Sequence, residues 1–159
     1  MKITKKHVLF WDGIFSNFYP CKIENEYGVF YTSEQYFMYR KALFFGDKKI
    51  ANLIYNERNP KKCKEYGRMV SNFDGDKWLK VCEEIMEDAI YRKFTQNFSL
   101  MDEFMDTKYD DKIFVEASPY DGIWGIKLSE ENPDADDEIK WKGLNLSGKV
   151  LNKVRNRIL

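Results

Sequence analysis

The segment from residue 76 to residue 97 constrains the fold more than any other part of the sequence. Its apolar side chains recur at intervals of three and four residues, and they are Trp78, Val81, Cys82, Ile85, Ala89, Ile90 and Phe94. This period places them on one face of an amphipathic α-helix. We therefore expect the longest helix of the protein to span about Asp76 to Asn97.

Start and stop signals predict several further helices. Thr32 and Gln35 fit a capping box, and Gly46 is a suitable residue to end the helix that follows. Asn59 and Pro60 fit the cap and first position of another helix. The further helices are expected at Thr32 to Phe45, Asp47 to Tyr55, Pro60 to Val70, Ser99 to about Met105, and from near Asn145 onward.

Strands are predicted to be few and short. One should cover Val8 to Trp11, and another Ile113 to Glu116. Cys21 to Ile23 and Val29 to Tyr31 flank a turn and predict a hairpin. The fold class is therefore α+β, mainly helical, with a short N-terminal β-hairpin and a few short strands. The length of 159 residues fits a single domain covering residues 1–159.

The charge balance argues against strong attraction to nucleic acid. The chain has 26 basic and 26 acidic residues, so its formal net charge is zero. An acidic stretch, Glu130 to Glu138, precedes a basic C-terminal end. Both runs are typical of solvated surface. The alternative is that the basic end helps to hold a phosphate.

Cysteine and histidine usage predicts neither disulfides nor a metal site. Three cysteines lie far apart, and His7 is the only histidine. A zinc site would need more soft ligands. We expect the thiols to be reduced and structural, and no metal or cofactor to be needed. The N-terminus has no apolar signal region, so a cytoplasmic protein without a membrane partner is expected.

Glu34 and Lys41 form the first candidate site. Seven residues are nearly two helical turns, so both side chains should share one face, about 10 Å apart along the axis. That gap can hold a sugar ring. Glu34 also lies in the first turn, where the helix dipole favours an ionised carboxylate. An ordinary solvated face is the competing interpretation, but the neighbouring residues are aromatic, which favours a pocket.

A second candidate set follows the strand that ends at Glu116. Glu116 and Asp121 lie across a turn that contains proline and glycine, and Trp124 is followed by Gly125. Functional groups gather on loops at strand ends. The alternative is a structural turn in which Asp121 caps nearby amides.

Two further sets offer binding groups. The loop from Phe10 to Tyr19 is rich in aromatic residues and includes Trp11, Ser16, Asn17 and Phe18, which suit stacking and hydrogen bonding to a base. The alternative is a loop packed on the core, with Asn17 satisfying local backbone groups. Arg68 after Gly67, and Asn145 near the last helix, could face a phosphate. Neither phosphate-loop motif is present, and one histidine near the terminus makes a Ser-His-Asp arrangement untenable.

Six ordered blocks together resemble the YbiA-like, or NADAR, family. They span about Phe10 to Arg155 and carry the motif residues Phe15-Ser16-Asn17-Phe18-Tyr19-Pro20, Ser33 to Phe37 with Lys41-Ala42, Gly67-Arg68, Trp78 through Lys93-Phe94, Glu116 with Ser118, Asp121, Trp124 and Gly125, and Trp141 with Gly143, Asn145, Gly148 and Val154-Arg155. Two positions depart from the family pattern. Lys127 stands where a glycine is usual, and Ser147 stands where a leucine is usual.

The resemblance implies N-glycoside hydrolysis at a ribose anomeric carbon beside a phosphate. Family substrates are ADP-ribose attached to guanine, and phosphorylated ribosylamino-pyrimidines of riboflavin synthesis. The expected partner is a small nucleotide-like or ADP-ribosylated molecule, with ADP-ribosylated DNA or RNA as a further option. A non-catalytic module that binds ADP-ribose or a nucleotide is the alternative function. An interaction protein whose aromatic surface contacts a partner is a second alternative.

Two mechanisms fit the expected residues. In one, Glu34 or Glu116 activates water while Asp121 orients the ribose. In the other, Lys41 attacks an opened ribose and forms a Schiff base. We favour Lys41 as nucleophile, with the two glutamates moving protons. The residues assigned to substrate binding are Trp11, Ser16, Asn17, Phe18, Tyr36, Arg68, Trp124 and Asn145.

Overall fold

The structure is a computed structural model that describes all residues, 1–159. Helices dominate, as the sequence predicts, and the strands are short. The strands are β1 (Lys2–Ile3), β2 (His7–Phe10), β3 (Ile23–Asn25), β4 (Gly28–Phe30) and β5 (Ile113–Glu116). The helices are α1 (Ser33–Phe44), α2 (Lys48–Tyr55), α3 (Pro60–Gly67), α4 (Gly75–Leu79), α5 (Cys82–Thr95), α6 (Phe98–Phe104) and α7 (Leu146–Ile158). No helix is both long enough and apolar enough to cross a membrane.

The chain divides into two compact units. Unit 1 combines Met1–Ser16 with Asp102–Leu159, and unit 2 is the continuous segment Asn17–Met101. That residues 1–159 form one domain stays a prediction. The units are described separately below.

Unit 1 contains a three-stranded sheet in the order β1-β2-β5. β2 is antiparallel to β1 and parallel to β5, with His7 opposite Ile113 and Phe10 opposite Glu116. All four residues of β2 are buried, which explains why the strand shows no alternation of polar and apolar residues. Glycine at position 148 lets α7 approach β5, because a Cβ there would overlap the carbonyl oxygen of Phe114.

Unit 2 contains the hairpin β3–β4 and is organised around α1, which packs against α2, α3 and α5. The first six residues of α1 are all buried, including polar ones. The Thr32 side chain accepts the Gln35 N–H, as the capping box predicts. The reciprocal bond goes elsewhere, because the Gln35 amide oxygen accepts the N–H of Tyr31.

The prediction of one continuous helix from Asp76 to Asn97 is wrong. The segment forms α4 and α5, separated by a turn in which Val81 is not helical (φ −123°, ψ −17°). Trp78 before the turn and Cys82 and Ile85 after it are all buried. The apolar pattern therefore continues through the break, so periodicity alone could not reveal it. The helix expected to reach Val70 also ends earlier, at Gly67.

Candidate active site

Glu34 lies in the first turn of α1 and is 7% exposed. Its backbone N–H donates to the carbonyl oxygen of Asn17. The Ser33 hydroxyl donates to the side-chain oxygen of Asn17 at 2.9 Å. Asn17 therefore fastens the preceding loop to the start of α1. The sequence assigned Asn17 to substrate binding, whereas its observed contacts are those of a residue that positions Glu34.

Lys41 is half-buried near the other end of α1. Its Nζ lies 4.6 Å from the centroid of the Phe73 ring. Burial lowers the pKa of Lys41 below its usual range, although the Glu34 carboxylate acts in the opposite direction and the Arg68 guanidinium reinforces the decrease. Lys41 is thus an amine whose charged form is destabilised by burial, in the electrostatic range of a buried carboxylate.

Arg68 caps the C-terminal end of α3 and is exposed. Gly67 before it is buried, and a Cβ there would overlap the sulfur of Met38 on α1. The glycine therefore allows α3 to pack closely on α1 and brings the guanidinium near Lys41. Glu34, Lys41, Arg68 and Phe73 make up what we call the α1 site.

Tyr36 does not belong to this site. Its side chain is fully buried, and its hydroxyl donates to Asp88 and accepts from Arg40 at 2.7 Å and from Asn25 at 3.0 Å. Burial and the bond to Asp88 raise the pKa of Tyr36 to about 12. An enclosed ring whose hydroxyl makes three hydrogen bonds has a structural role, contrary to the expectation that Tyr36 binds the substrate.

The remaining residues of the aromatic loop fall in both units. In unit 2, Phe18 is 39% exposed and 6.0 Å from the Nζ of Lys64. In unit 1, the Ser16 N–H donates to the carbonyl oxygen of Gly13. Trp11 is 51% exposed and lies 5.8 Å from the ring of Tyr120. The Trp11–Tyr120 pair therefore offers an exposed aromatic surface.

The second carboxylate set lies in unit 1, at the end of β5. The Glu116 carboxylate accepts a hydrogen bond from the Ser147 hydroxyl at 3.2 Å. One oxygen of Asp121 accepts the backbone N–H groups of Ile123 and Trp124, both at 2.8 Å. Asp121 therefore caps its own turn, which was the alternative interpretation, and in doing so it fixes the backbone of half-buried Trp124.

Asn145 is used entirely by the protein backbone. It is 2% exposed, its amide nitrogen donates to Phe114 O, and its side-chain oxygen accepts the N–H of Glu116. Its φ of +53° is in the left-handed region, which asparagine tolerates better than most residues. The expectation that Asn145 contacts a phosphate is therefore replaced by a structural role in holding Glu116.

The two departures from the family pattern have identifiable positions. Lys127 has a φ of +57°, which explains why glycine suits that position. Ser147, in the place of a leucine, is the residue that donates to Glu116.

The basic C-terminal end is partly internal. Arg155 is 7% exposed and donates to the carbonyl oxygens of Phe104 and Asp106 and to the carboxylate of Asp110. Lys140 pairs with Asp134 at 3.3 Å. Arg155 is therefore used inside the protein, whereas Lys140 makes an ion pair on the exposed surface.

Sequence reasoning missed three features. Phe73 covers Lys41 from 32 positions further along the chain, with no pattern to connect them. Lys93 is fully buried, which lowers its pKa to about 8. His7 is buried and bonded to Asp136 at 2.7 Å and Glu138 at 3.2 Å, so part of the acidic stretch holds a histidine.

The three cysteines are free, and no cluster of acidic, histidine and cysteine side chains is suited to a metal ion.

The fold is therefore a mainly helical α+β fold in which a buried glutamate and a half-buried lysine share one helix. Comparison with known proteins gives the family. The NADAR domain profile matches residues 9–159, and the chain belongs to the NADAR domain family.

Relatives and a solved structure agree with that assignment. The chain is 39% identical to the N-glycosidase R617 of Acanthamoeba polyphaga mimivirus, over 89% of this chain and 85% of the relative. It is 37% identical to protein irg-1 of Caenorhabditis elegans, over 98% and 81%. The NMR structure of the Escherichia coli protein YbiA superposes with a TM-score of 0.77 at 25% identity, covering 99% of this chain and 87% of that one.

Proposed function

We infer that this protein is a hydrolase that cuts N-glycosyl bonds. The observation that carries this inference is the α1 site, in which buried Glu34 and half-buried Lys41 share one helix. Membership of the NADAR family and the similarity to a viral N-glycosidase support the same reaction class.

The substrate that we propose has a ribose anomeric carbon bound to a base nitrogen, with a phosphate nearby. ADP-ribosyl-guanine and a ribosylamino-pyrimidine phosphate both fit this description. Arg68 is exposed and close enough to Lys41 to act on it electrostatically. A guanidinium in that position suits a phosphate oxygen, because it can donate two parallel hydrogen bonds.

Lys41 is proposed as the nucleophile. The lone pair of the base nitrogen first opens the ribose: the bond from the anomeric carbon to the ring oxygen breaks, that oxygen takes a proton, and a protonated C=N bond to the base forms. The neutral Lys41 amine adds to this carbon as the π electrons return to the base nitrogen. One proton then passes from Nζ to the base nitrogen, and the base leaves with the electrons of the broken C–N bond. The remaining C=N bond to Lys41 is a Schiff base. Water then adds to the same carbon, the C–Nζ bond breaks, and the ribose aldehyde and free amine are restored. Glu34 is proposed to carry the protons.

The proposed roles in unit 1 rest on separate observations. Glu116, at the end of β5, accepts a hydrogen bond from the Ser147 hydroxyl and is proposed as a second proton carrier. Asp121 is proposed to hold the turn of Trp124 and to orient ribose hydroxyls, and the exposed Trp11 ring to stack on a base. Trp11→Ala should lower kcat/KM by about fivefold or more, since stacking is worth about 1–3 kcal/mol per base. Glu116→Ala, assayed separately, should lower kcat by about a hundredfold, as the loss of a general acid or base does.

Borohydride trapping tests the Lys41 route. The wild type should gain the mass of a reduced ribosyl adduct on Lys41 during turnover of ADP-ribosylated guanosine, whereas Lys41→Arg and Lys41→Met should release no base and trap nothing. Glu34→Gln should lower kcat by about two orders of magnitude, as the loss of a general acid or base does. Lys48→Met and Glu65→Gln, on exposed positions of α2 and α3, are matched controls.

The outcomes separate the alternatives. Base release without any adduct would show direct attack by water, with a carboxylate as base. A raised Tm with ADP-ribose but no base release would show a binding module rather than an enzyme. The same assay with a ribosylamino-pyrimidine phosphate decides between the two substrate groups.

A further inference from the structure

Phe73 covers the proposed nucleophile without belonging to a helix or strand. It lies in the segment between α3 and α4, and its ring centroid is 4.6 Å from Lys41 Nζ. Half of the side chain remains exposed to solvent. The ring also contacts Phe45, just after the end of α1, with centroids 5.3 Å apart. Phe73 therefore covers one side of the Lys41 amine.

A single carboxylate fastens this segment. One oxygen of Asp47 accepts the N–H of Ile50 and caps α2, and its other oxygen accepts both the N–H and the hydroxyl of Ser71, each at 2.9 Å. Asn72, between Ser71 and Phe73, has a φ of +59°, which turns the chain sharply. We call Asp47 and Ser71 the latch. Two hydrogen bonds from Ser71 to Asp47 and the turn at Asn72 hold the backbone just before Phe73, so the fold sets where this residue lies.

The ring acts on Lys41 in two opposing ways. It excludes water from one side of Nζ, which destabilises the ammonium. Its π face attracts a cation, which stabilises the ammonium. Two charged groups also act on the pKa of Lys41. Glu34, on the same helix, raises it, and Arg68, at the end of α3, lowers it. Burial, which lowers the pKa, is the largest of the three effects. Phe73 is the aromatic ring that the structure places against Nζ and therefore contributes to that burial.

We propose that Phe73 is a positioning residue of the N-glycosidase reaction, which holds the Lys41 amine against its ring and keeps water away from it until the ribose arrives. The proposal rests on the proposed function of Lys41. It assigns a role to the latch as well, because Asp47 and Ser71 set where the ring lies.

Competitive acetylation of Lys41 at a series of pH values, followed by mass spectrometry, tests the proposal without substrate. In Phe73→Ala, water reaches Nζ and the pKa of Lys41 should rise, so acetylation at pH 7 should slow by up to about tenfold, the effect of one pKa unit. Phe73→Leu keeps an apolar cover without the π face, so its rate should equal or exceed that of the wild type. Phe98→Ala removes an 88% exposed ring elsewhere in unit 2 and should change nothing.

Turnover then separates failure of the proposal from failure of the proposed function. Phe73→Ala should lose kcat at neutral pH and regain it as the pH rises, a profile that simple misfolding would not produce. Ser71→Ala, which removes one latch bond, should shift the profile in the same direction by less. Identical acetylation profiles in the wild type and Phe73→Ala would overturn the proposal even if hydrolysis is normal. A shifted acetylation profile in an inactive protein would uphold the effect of the Phe73 ring on the Lys41 amine, while it would reject both the hydrolase assignment and the role of Phe73 in that reaction.

Discussion

At the scale of single residues, Asn145 shows how much can depend on one amide group. It bridges the last helix to β5 with two hydrogen bonds while holding a left-handed backbone conformation. The position of this asparagine near a helix start predicted a contact with a phosphate of the substrate. In the structure both groups of its amide bond the backbone of β5, so Asn145 holds the backbone of Glu116.

We predict that Asn145→Ala destabilises the protein by about 2–4 kcal/mol, since each buried group left unpaired costs about 1–3 kcal/mol. Urea unfolding measures this loss. Asp111→Ala is the control, because Asp111 is exposed and also has a positive φ of 61°, so it should lose only about 1 kcal/mol from backbone strain. Equal losses in the two variants would refute the hydrogen-bond account.

Lys93 supplies a prediction about pH. Its folded-state pKa is about 8, against an ordinary 10.5, because the ammonium is fully buried. Between these values the unfolded chain binds a proton that the folded chain does not, so stability rises with pH across this window. Below pH 8 both states are protonated and the burial cost is constant.

The free energy of unfolding of the wild type should therefore gain on the order of 3 kcal/mol relative to Lys93→Met between pH 8 and pH 10.5. Denaturant titrations of both proteins at several pH values give this difference. The contributions of titrating groups that the two proteins share cancel when their free energies of unfolding are subtracted. A difference that stays flat, or that falls with pH, would contradict it.

The α1 site shows what sequence can and cannot reveal at this scale. Glu34 and Lys41 could be paired because helical spacing is local information, and the structure keeps them on one helix. The aromatic neighbours were misjudged. Tyr36 is adjacent in sequence but is buried in its own hydrogen-bond network, whereas Phe73, far away in sequence, contacts Nζ. Contacts between segments depend on how helices pack, which side-chain periodicity does not encode.

At the scale of elements, the start of α1 carries the site. The cap at Thr32, the bond from Glu34 N–H to Asn17 and the Ser33–Asn17 bond all meet within three residues. Capping residues can be recognised in a sequence, which is why the start of α1 is predicted. The break between α4 and α5 is not predicted, because the apolar residues keep the same spacing before and after it.

We predict that Thr32→Ala costs about 1–2 kcal/mol of stability and lowers kcat, because an N-cap is lost at the turn that carries Glu34. Thr32→Ser keeps the accepting hydroxyl and should retain both properties. Hydrogen exchange should report faster exchange at the Gln35 amide, the donor to Thr32, in the alanine variant only. Unchanged exchange there would show that the cap does not hold this turn.

At the scale of the whole molecule, charge sets what the protein can attract. Equal numbers of acidic and basic residues leave no net field, and Arg155 and Lys140 are already paired within unit 1. Long-range attraction of a nucleic-acid backbone is therefore weak. Composition alone was sufficient for this conclusion, whereas the internal use of the basic end needed the structure.

The KM for free ADP-ribosylated guanosine should change less than about threefold between about 50 mM and about 300 mM salt, since few phosphates are neutralised. A matched series with an ADP-ribosylated oligonucleotide is the comparison. A steep decrease in the affinity for the oligonucleotide with rising salt would show that the protein binds several phosphates of a nucleic acid. That result would contradict the expectation of weak attraction to a nucleic-acid backbone.

The parallel pairing of β2 with β5 also dictates an order of events during protein synthesis. β2 emerges from the ribosome first, but its partner is made only after the whole of unit 2. The chain between β2 and β5 forms a long loop. The entropy cost of closing a loop grows only slowly with its length, but pairing between distant segments slows folding. Until β5 appears, the apolar His7–Phe10 strand is an unpaired edge of the kind that promotes aggregation. Covering this strand edge until β5 has been made therefore favours the solubility of the growing chain.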